Sequence, residues 1–176
     1  PDDQWNGTGL KPGEVSARKD AQWEDYDNRI AKITFDMQGV AVKKGSDVII
    51  IVDRSGSMNG ARMTSAKAAV NKLTNQILAN SNIDNNRVAL VPFNNATSKS
   101  VNFQTNPTII TTKMNSVSAA DGTDYQRAFN QAIYYASTRT ASEQSRPLYV
   151  VFISDGEPNY GNATTEAGVL KSSGAT

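Results

Sequence analysis

Asp47-Val48-Ile49-Ile50-Ile51-Val52-Asp53-Arg54-Ser55-Gly56-Ser57 is the stretch that decides the fold. The β-branched apolar run from Val48 to Val52 shows no polar alternation, which predicts a strand buried on both faces. Such strands belong to parallel sheets covered by helices. This one ends on a carboxylate, Asp53, and a Gly/Ser turn follows. Beyond the turn, Met63, Ala66, Val70, Leu73 and Ile77 recur at intervals of three and four, predicting a helix from near Gly60 with one apolar stripe.

The same pattern continues toward the C-terminus. Val88 to Val91 predicts a second buried strand, stopped by Pro92 and Asn94-Asn95. In the polar run Thr97 to Gln104, Val101 and Phe103 alternate as in a short edge strand. Asn106-Pro107 has the form of an N-cap followed by a first-turn proline, opening a helix to about Val117 with Ile110, Met114 and Val117 on one face. Phe129, Ile133 and Ala136 predict another helix directly after Gly122-Thr123-Asp124. Leu148 to Ile153 predicts a third buried strand, again followed by a carboxylate, Asp155. Ala167, Leu170 and Lys171 suggest a short helix within Thr165 to Ser173, capped by Gly174.

Strands alternating with amphipathic helices give an α/β class: a doubly wound, mostly parallel, Rossmann-like sheet flanked by helices. Ligands of such sheets sit beyond the carboxyl ends of the strands, where Asp53 and Asp155 both fall. Ahead of the sheet, Pro1 to Gly13 reads as an extended lead-in. Val15 to Trp23 and Ile30 to Val42 predict a β-hairpin turning at Glu24 to Asn28, with Ile33, Phe35, Met37 and Val40 on its buried side. The chain thus divides into residues 1–44, an extended segment and hairpin that can belong to a neighbouring β-sandwich, and residues 45–176, the α/β domain.

Composition narrows the function. Lys+Arg number 18 against Asp+Glu 17, so no charge excess points to nucleic acid, and no apolar run approaches the ~20 residues of a membrane span. Cysteine and histidine are both absent, which removes disulfides, Cys/His zinc sites, Cys nucleophiles and every His-dependent triad.

The chemistry concentrates in oxygen donors. Asp53, Ser55 and Ser57 place one carboxylate and two hydroxyls in a single turn, with Gly56 easing the backbone between the serines. Alone, this pattern also describes a strand end followed by serine helix caps. Gly122-Thr123 and Ser154-Asp155-Gly156 bring matching oxygens from two other loops. Hard oxygens suit Mg²⁺ or Mn²⁺, or Ca²⁺ if coordination expands. Arg54, Asp121, Asp124 and Glu157 read as solvated loop residues. Trp5, Trp23, Tyr125, Tyr134 and Tyr149 read as packing residues, and Tyr160 as the exposed aromatic beside Asp155.

This combination resembles the von Willebrand factor A family and its metal-ion-dependent adhesion site, from about Gly45 to Thr176. The resemblance implies that Asp53, Ser55, Ser57, Thr123 and Asp155 hold one divalent metal, Mg²⁺ with Mn²⁺ or Ca²⁺ as substitutes. It also implies a further strand and closing helix after Gly174, so the chain is expected to stop short of its domain's end. Residues 13–48 resemble the approach to this domain in Gram-positive wall-anchored adhesins and pilus tip proteins. That implies extracellular display on a cell wall or pilus, beside other domains of the same surface protein, with Lys19 as a faint candidate for an isopeptide cross-link. The implied function is metal-dependent binding of a host or matrix protein, through an acidic side chain, with no enzymatic activity and no membrane insertion. The alternatives are an intracellular A-type subunit of a chelatase or ATPase assembly, a structural pilin whose metal site is vestigial, and, weakest, a Ser-Lys hydrolase.

Overall fold

A computed structural model describes residues 9–10, 14–39, 45–79 and 85–176. The chain divides into two compact units, Pro1–Lys43 and Lys44–Thr176. Trp5 and hairpin residues 40–42 of the sequence reading lie outside the described residues.

In the first unit, strands β1 (Val15–Asp25) and β2 (Ile30–Gly39) pair antiparallel. Their turn is tied by Asp25, whose carboxylate accepts from the Asn28 backbone N–H at 3.0 Å and side-chain amide at 2.7 Å. The hairpin is present, but its expected buried side is not buried. Ile33, Phe35 and Met37 are 52%, 68% and 75% exposed, and Trp23 also lies open. Alternation places these residues on one face of the hairpin. Lys19 sits opposite Phe35, its ammonium 5.6 Å from the ring centre.

The second unit is a mixed α/β structure with a central, mostly parallel sheet. Its elements are β3 (Asp47–Asp53), α1 (Ala61–Leu78), β4 (Arg87–Phe93), β5 (Val101–Gln104), α2 (Pro107–Asn115), α3 (Tyr125–Ser137), α4 (Ala141–Gln144), β6 (Leu148–Ile153) and α5 (Thr164–Ser172). The strand order is β5-β4-β3-β6, with β3 parallel to both neighbours and β5 antiparallel at the edge. Every residue of β3 is buried, as its unbroken apolar run requires. Its side chains alternate between two cores: Val48, Ile50 and Val52 pack toward α1 and α2, Ile49 and Ile51 toward α3 and α5.

Several expectations are corrected. Pro92 does not stop β4, which runs to Phe93. It lies beyond Leu90, the last β4 residue paired with β5, where no second strand calls for its missing N–H. The buried stripe of α1 is Met63, Ala66, Val70, Thr74 and Leu78, with Leu73 and Ile77 at its margin. Strand β6 lies beyond β3 in the sheet and is only partly covered, so Tyr149 and Phe152 are 42% and 37% exposed. Past α5, Gly174 takes φ +87°, and Thr176 exchanges backbone hydrogen bonds with Leu148 and Val150. Tyr134 is exposed, whereas Tyr125 packs against Phe93 and Phe152. Helix α4 was not anticipated; a capping box between Thr140 and Glu143 forms it.

The amino end of the sheet is fastened by charge. Asp47, fully buried, receives Arg87 and Arg146 at 2.8 Å and Arg139 at 3.4 Å. The hydrogen bonds that Arg87 donates to Asp47 raise the Arg87 pKa above its ordinary value. Among the described residues, no helix is long and apolar enough to cross a membrane.

Candidate metal centre

Strand β3 delivers Asp53 to the carboxyl end of the sheet, where it is 1% exposed. One carboxylate oxygen accepts the Ser55 backbone N–H at 2.7 Å, closing the turn that the short Asp side chain favours. The other accepts from the Ser154 hydroxyl at 2.7 Å, joining the loop after β3 to the loop after β6. The Tyr125 hydroxyl lies 2.8 Å from Ser154 Oγ and bonds the Gly156 carbonyl.

The hydroxyls continue the chain of contacts. Ser55 Oγ and Ser57 Oγ are 3.0 Å apart, and Ser57 Oγ donates to Asp155 Oδ1 at 2.9 Å. Four of the five candidates, Asp53, Ser55, Ser57 and Asp155, are therefore linked by direct hydrogen bonds. Thr123 is placed through its backbone instead. Its N–H donates to Asn159 Oδ1 at 3.0 Å, and its carbonyl accepts from Asn159 and Tyr160. Its loop is clasped to the serine loop by Gly56 N–H donating to the Asp121 carbonyl at 2.8 Å. Thr123 is nearly buried, at 5% exposure.

Asn94 is the hub that the sequence reading passed over as a strand stop. Fully inside at 1% exposure, it donates to the Ala120 carbonyl at 3.0 Å and the Asp121 carboxylate at 2.8 Å, and accepts from Arg54 Nη2 at 2.8 Å. Arg54 is consequently not a solvated residue; it is 8% exposed, with a buried Nε lacking a partner. Asp121 adopts φ +65° and shapes the loop, and Asp124 caps the N-terminus of α3. Glu157 and Tyr160 are exposed, as expected. Asn159 and Arg62 were also missed, and neither carried a local signal. Ser154 was read only as part of the Ser154-Asp155-Gly156 loop, without a role of its own.

Does this donor set fit a divalent cation? Asp53 is a buried carboxylate whose hydrogen-bond partners are neutral donors alone, so its charge has no ion-pair partner among the described residues. Burying such a charge is costly unless a cation joins it. The neighbouring oxygens at 2.9 and 3.0 Å match the ~2.9 Å between adjacent ligands of an octahedral Mg²⁺ shell. Two carboxylates and three hydroxyls are hard donors, and α1 begins nearby with its positive end. The residues present fit the ion.

The family described as von Willebrand factor type A domain matches residues 48–157, more than half of the sequence, and the chain belongs to that family. No curated protein sequence matches it. Among solved structures, it is similar to the vWF domain of the type V pili tip protein Mfa5 from Porphyromonas gingivalis, with 25% identity and a TM-score of 0.58, over 67% of this chain and 40% of that one. An aerotolerance-related membrane protein from Bacteroides fragilis shows 26% identity and a TM-score of 0.60, over 75% of this chain and 65% of that one. The pilus adhesin SpaC from Lactobacillus rhamnosus GG, at 20% identity and TM-score 0.56 over 82% of this chain and 19% of that one, shares the fold. The chain spans less than half the length of both pilus proteins.

Proposed function

We propose that this chain is a metal-dependent protein-binding module of a surface or pilus protein, and that it recognises its partner without catalysing a reaction. The observation that carries the proposal is the linked set Asp53, Ser55, Ser57 and Asp155 at the carboxyl end of the sheet, with Asp53 buried beside neutral donors only. Asp53 and Asp155 would supply charge to Mg²⁺ or Mn²⁺, and Ser55, Ser57 and Thr123 neutral oxygens. When bound, the ion offers Lewis acidity to an anionic oxygen of a partner, such as an acidic side chain of a host or matrix protein. The chain's own residues orient that contact: the Gly56 to Asp121 clasp fixes the loops, and the exposed Tyr160 borders them. Extracellular display beside other domains is supported by the likeness to the Mfa5 pilus tip domain.

A second reading is an intracellular A-type subunit of a chelatase or ATPase assembly, since the chain's likeness extends beyond pilus proteins to the aerotolerance-related membrane protein. An array of immobilised extracellular-matrix proteins, probed with Mg²⁺ and again with EDTA, separates the two. The surface reading expects Mg²⁺-dependent capture that Asp155→Asn abolishes. Absence of capture, or capture indifferent to EDTA, would refute it.

A further inference from the structure

Arg62 has no part in the function proposed above, yet it touches that site. It lies in the first turn of α1 with its side chain 64% exposed. Its Nη1 donates to Asp155 Oδ2 at 2.7 Å and to the Ser57 carbonyl oxygen at 3.0 Å. The two oxygens of Asp155 thus face different neighbours: Oδ1 takes the Ser57 hydroxyl and Oδ2 the guanidinium. Other cations near this end of the sheet are engaged elsewhere. Arg54 is buried against Asn94, Arg127 pairs with Asp124, and Lys67 donates to the Asn115 carbonyl.

Resting on the cation-binding reading, we propose that Arg62 is a specificity-determining residue, which lowers the site's affinity for the metal and raises its preference for an acidic partner. The argument is one of charge. Asp53 and Asp155 neutralise a dication, and the hydroxyls of Ser55, Ser57 and Thr123 add nothing, so the loaded site without Arg62 is neutral. A guanidinium carries one positive charge, so Arg62 makes the loaded site net positive. It also draws on Asp155, the carboxylate that the cation needs. Both effects oppose the metal, and both favour an anion arriving from solvent. Because the Arg62 side chain is 64% exposed, its guanidinium can turn from Asp155 toward an incoming carboxylate while staying solvated.

The test titrates Mn²⁺ alone into the wild-type chain and the Arg62→Ala, Arg62→Gln and Arg62→Lys variants by calorimetry. Acetate is then titrated into the Mn²⁺-loaded proteins, following water proton relaxation as carboxylate replaces metal-bound water. Thermal melts confirm that each variant is folded. Arg62→Ala and Arg62→Gln are expected to bind Mn²⁺ roughly three- to tenfold tighter at low salt, with the gain shrinking as salt is raised, and to bind acetate more weakly. Arg62→Lys should stay near wild type. A merely structural arginine would leave Mn²⁺ affinity unchanged or reduced on removal, and either result overturns the proposal while the cation reading stands. If neither wild type nor any variant binds Mn²⁺, the cation reading falls and takes this proposal with it.

Discussion

Asp53→Asn separates the candidate metal centre from the fold, because the substitution removes charge and almost no volume. In the native chain the carboxylate accepts two hydrogen bonds of 2.7 Å, from Ser55 N–H and Ser154 Oγ. An amide oxygen can keep the first. The amide NH₂ can face Ser154, whose hydroxyl then turns its hydrogen toward Tyr125, 2.8 Å away. What is lost is charge assistance, about 1–2 kcal/mol of the ~1.5–3 that a bond to a charged group contributes. Relief from burying a carboxylate without an ion-pair partner offsets part of that. The melting temperature should therefore move by only a few degrees, since ~1 kcal/mol corresponds to ~2–4 °C in a chain of this size. Cation binding should respond far more. A unit pair 4 Å apart is worth about 4 kcal/mol at an effective dielectric near 20, and a dication doubles it before desolvation. Retaining only about 3 kcal/mol of this gives a hundredfold loss of affinity. Mn²⁺ calorimetry beside a thermal melt measures both quantities. An Asn variant that binds Mn²⁺ like wild type would remove Asp53 from the site.

At the other end of β3, Asp47→Ala leaves Arg139, with its side chain 4% exposed, and Arg146 without a carboxylate, while Arg87 keeps Glu143. The expected loss is about 3–5 kcal/mol, or roughly 6–20 °C in melting temperature. Mn²⁺ affinity of the folded protein should be unchanged, because the strand separates the two ends by about 20 Å. Gly122→Ala would place a Cβ 2.8 Å from Asn95 Oδ1 and 3.3 Å from the Tyr160 ring, so the loop that carries Thr123 must shift. Mn²⁺ affinity should fall about tenfold while the far-UV spectrum stays native; unchanged affinity would show that the site does not depend on the placement of the Thr123 loop.

The legible parts of the chain were those whose chemistry is local. Strand β3 announces itself because a helix-covered parallel strand needs an unbroken apolar run, and the Asn106-Pro107 start of α2 because capping is settled within a few residues. The oxygen donors were legible as types at strand ends, and the fold brings Ser57 and Asp155 into contact across 98 positions. Asn94 and Arg54 were misread for one reason: a polar residue at a strand end looks solvated until its partners, in this case 26 to 40 positions away, are known. Arg62 belongs to the same class, its partner lying 93 positions downstream. The hairpin was legible, but the exposure of its apolar side was not. Alternation identifies which residues share a face, as Ile33, Phe35 and Met37 do, but contains no information about what lies over that face.

The clasp between Gly56 N–H and the Asp121 carbonyl is made entirely of main chain. Neither side chain takes part in the bond itself, which depends on the path of the two loops. Residues on the rim, such as Asn59, Glu157 and Tyr160, are exposed and lie outside the linked oxygens. They can change size, polarity or sign without altering how the two loops are held. Grip and choice of partner are thus written in different letters of the sequence, so drift at the rim can redirect such a domain to new surfaces while the means of holding on is inherited intact.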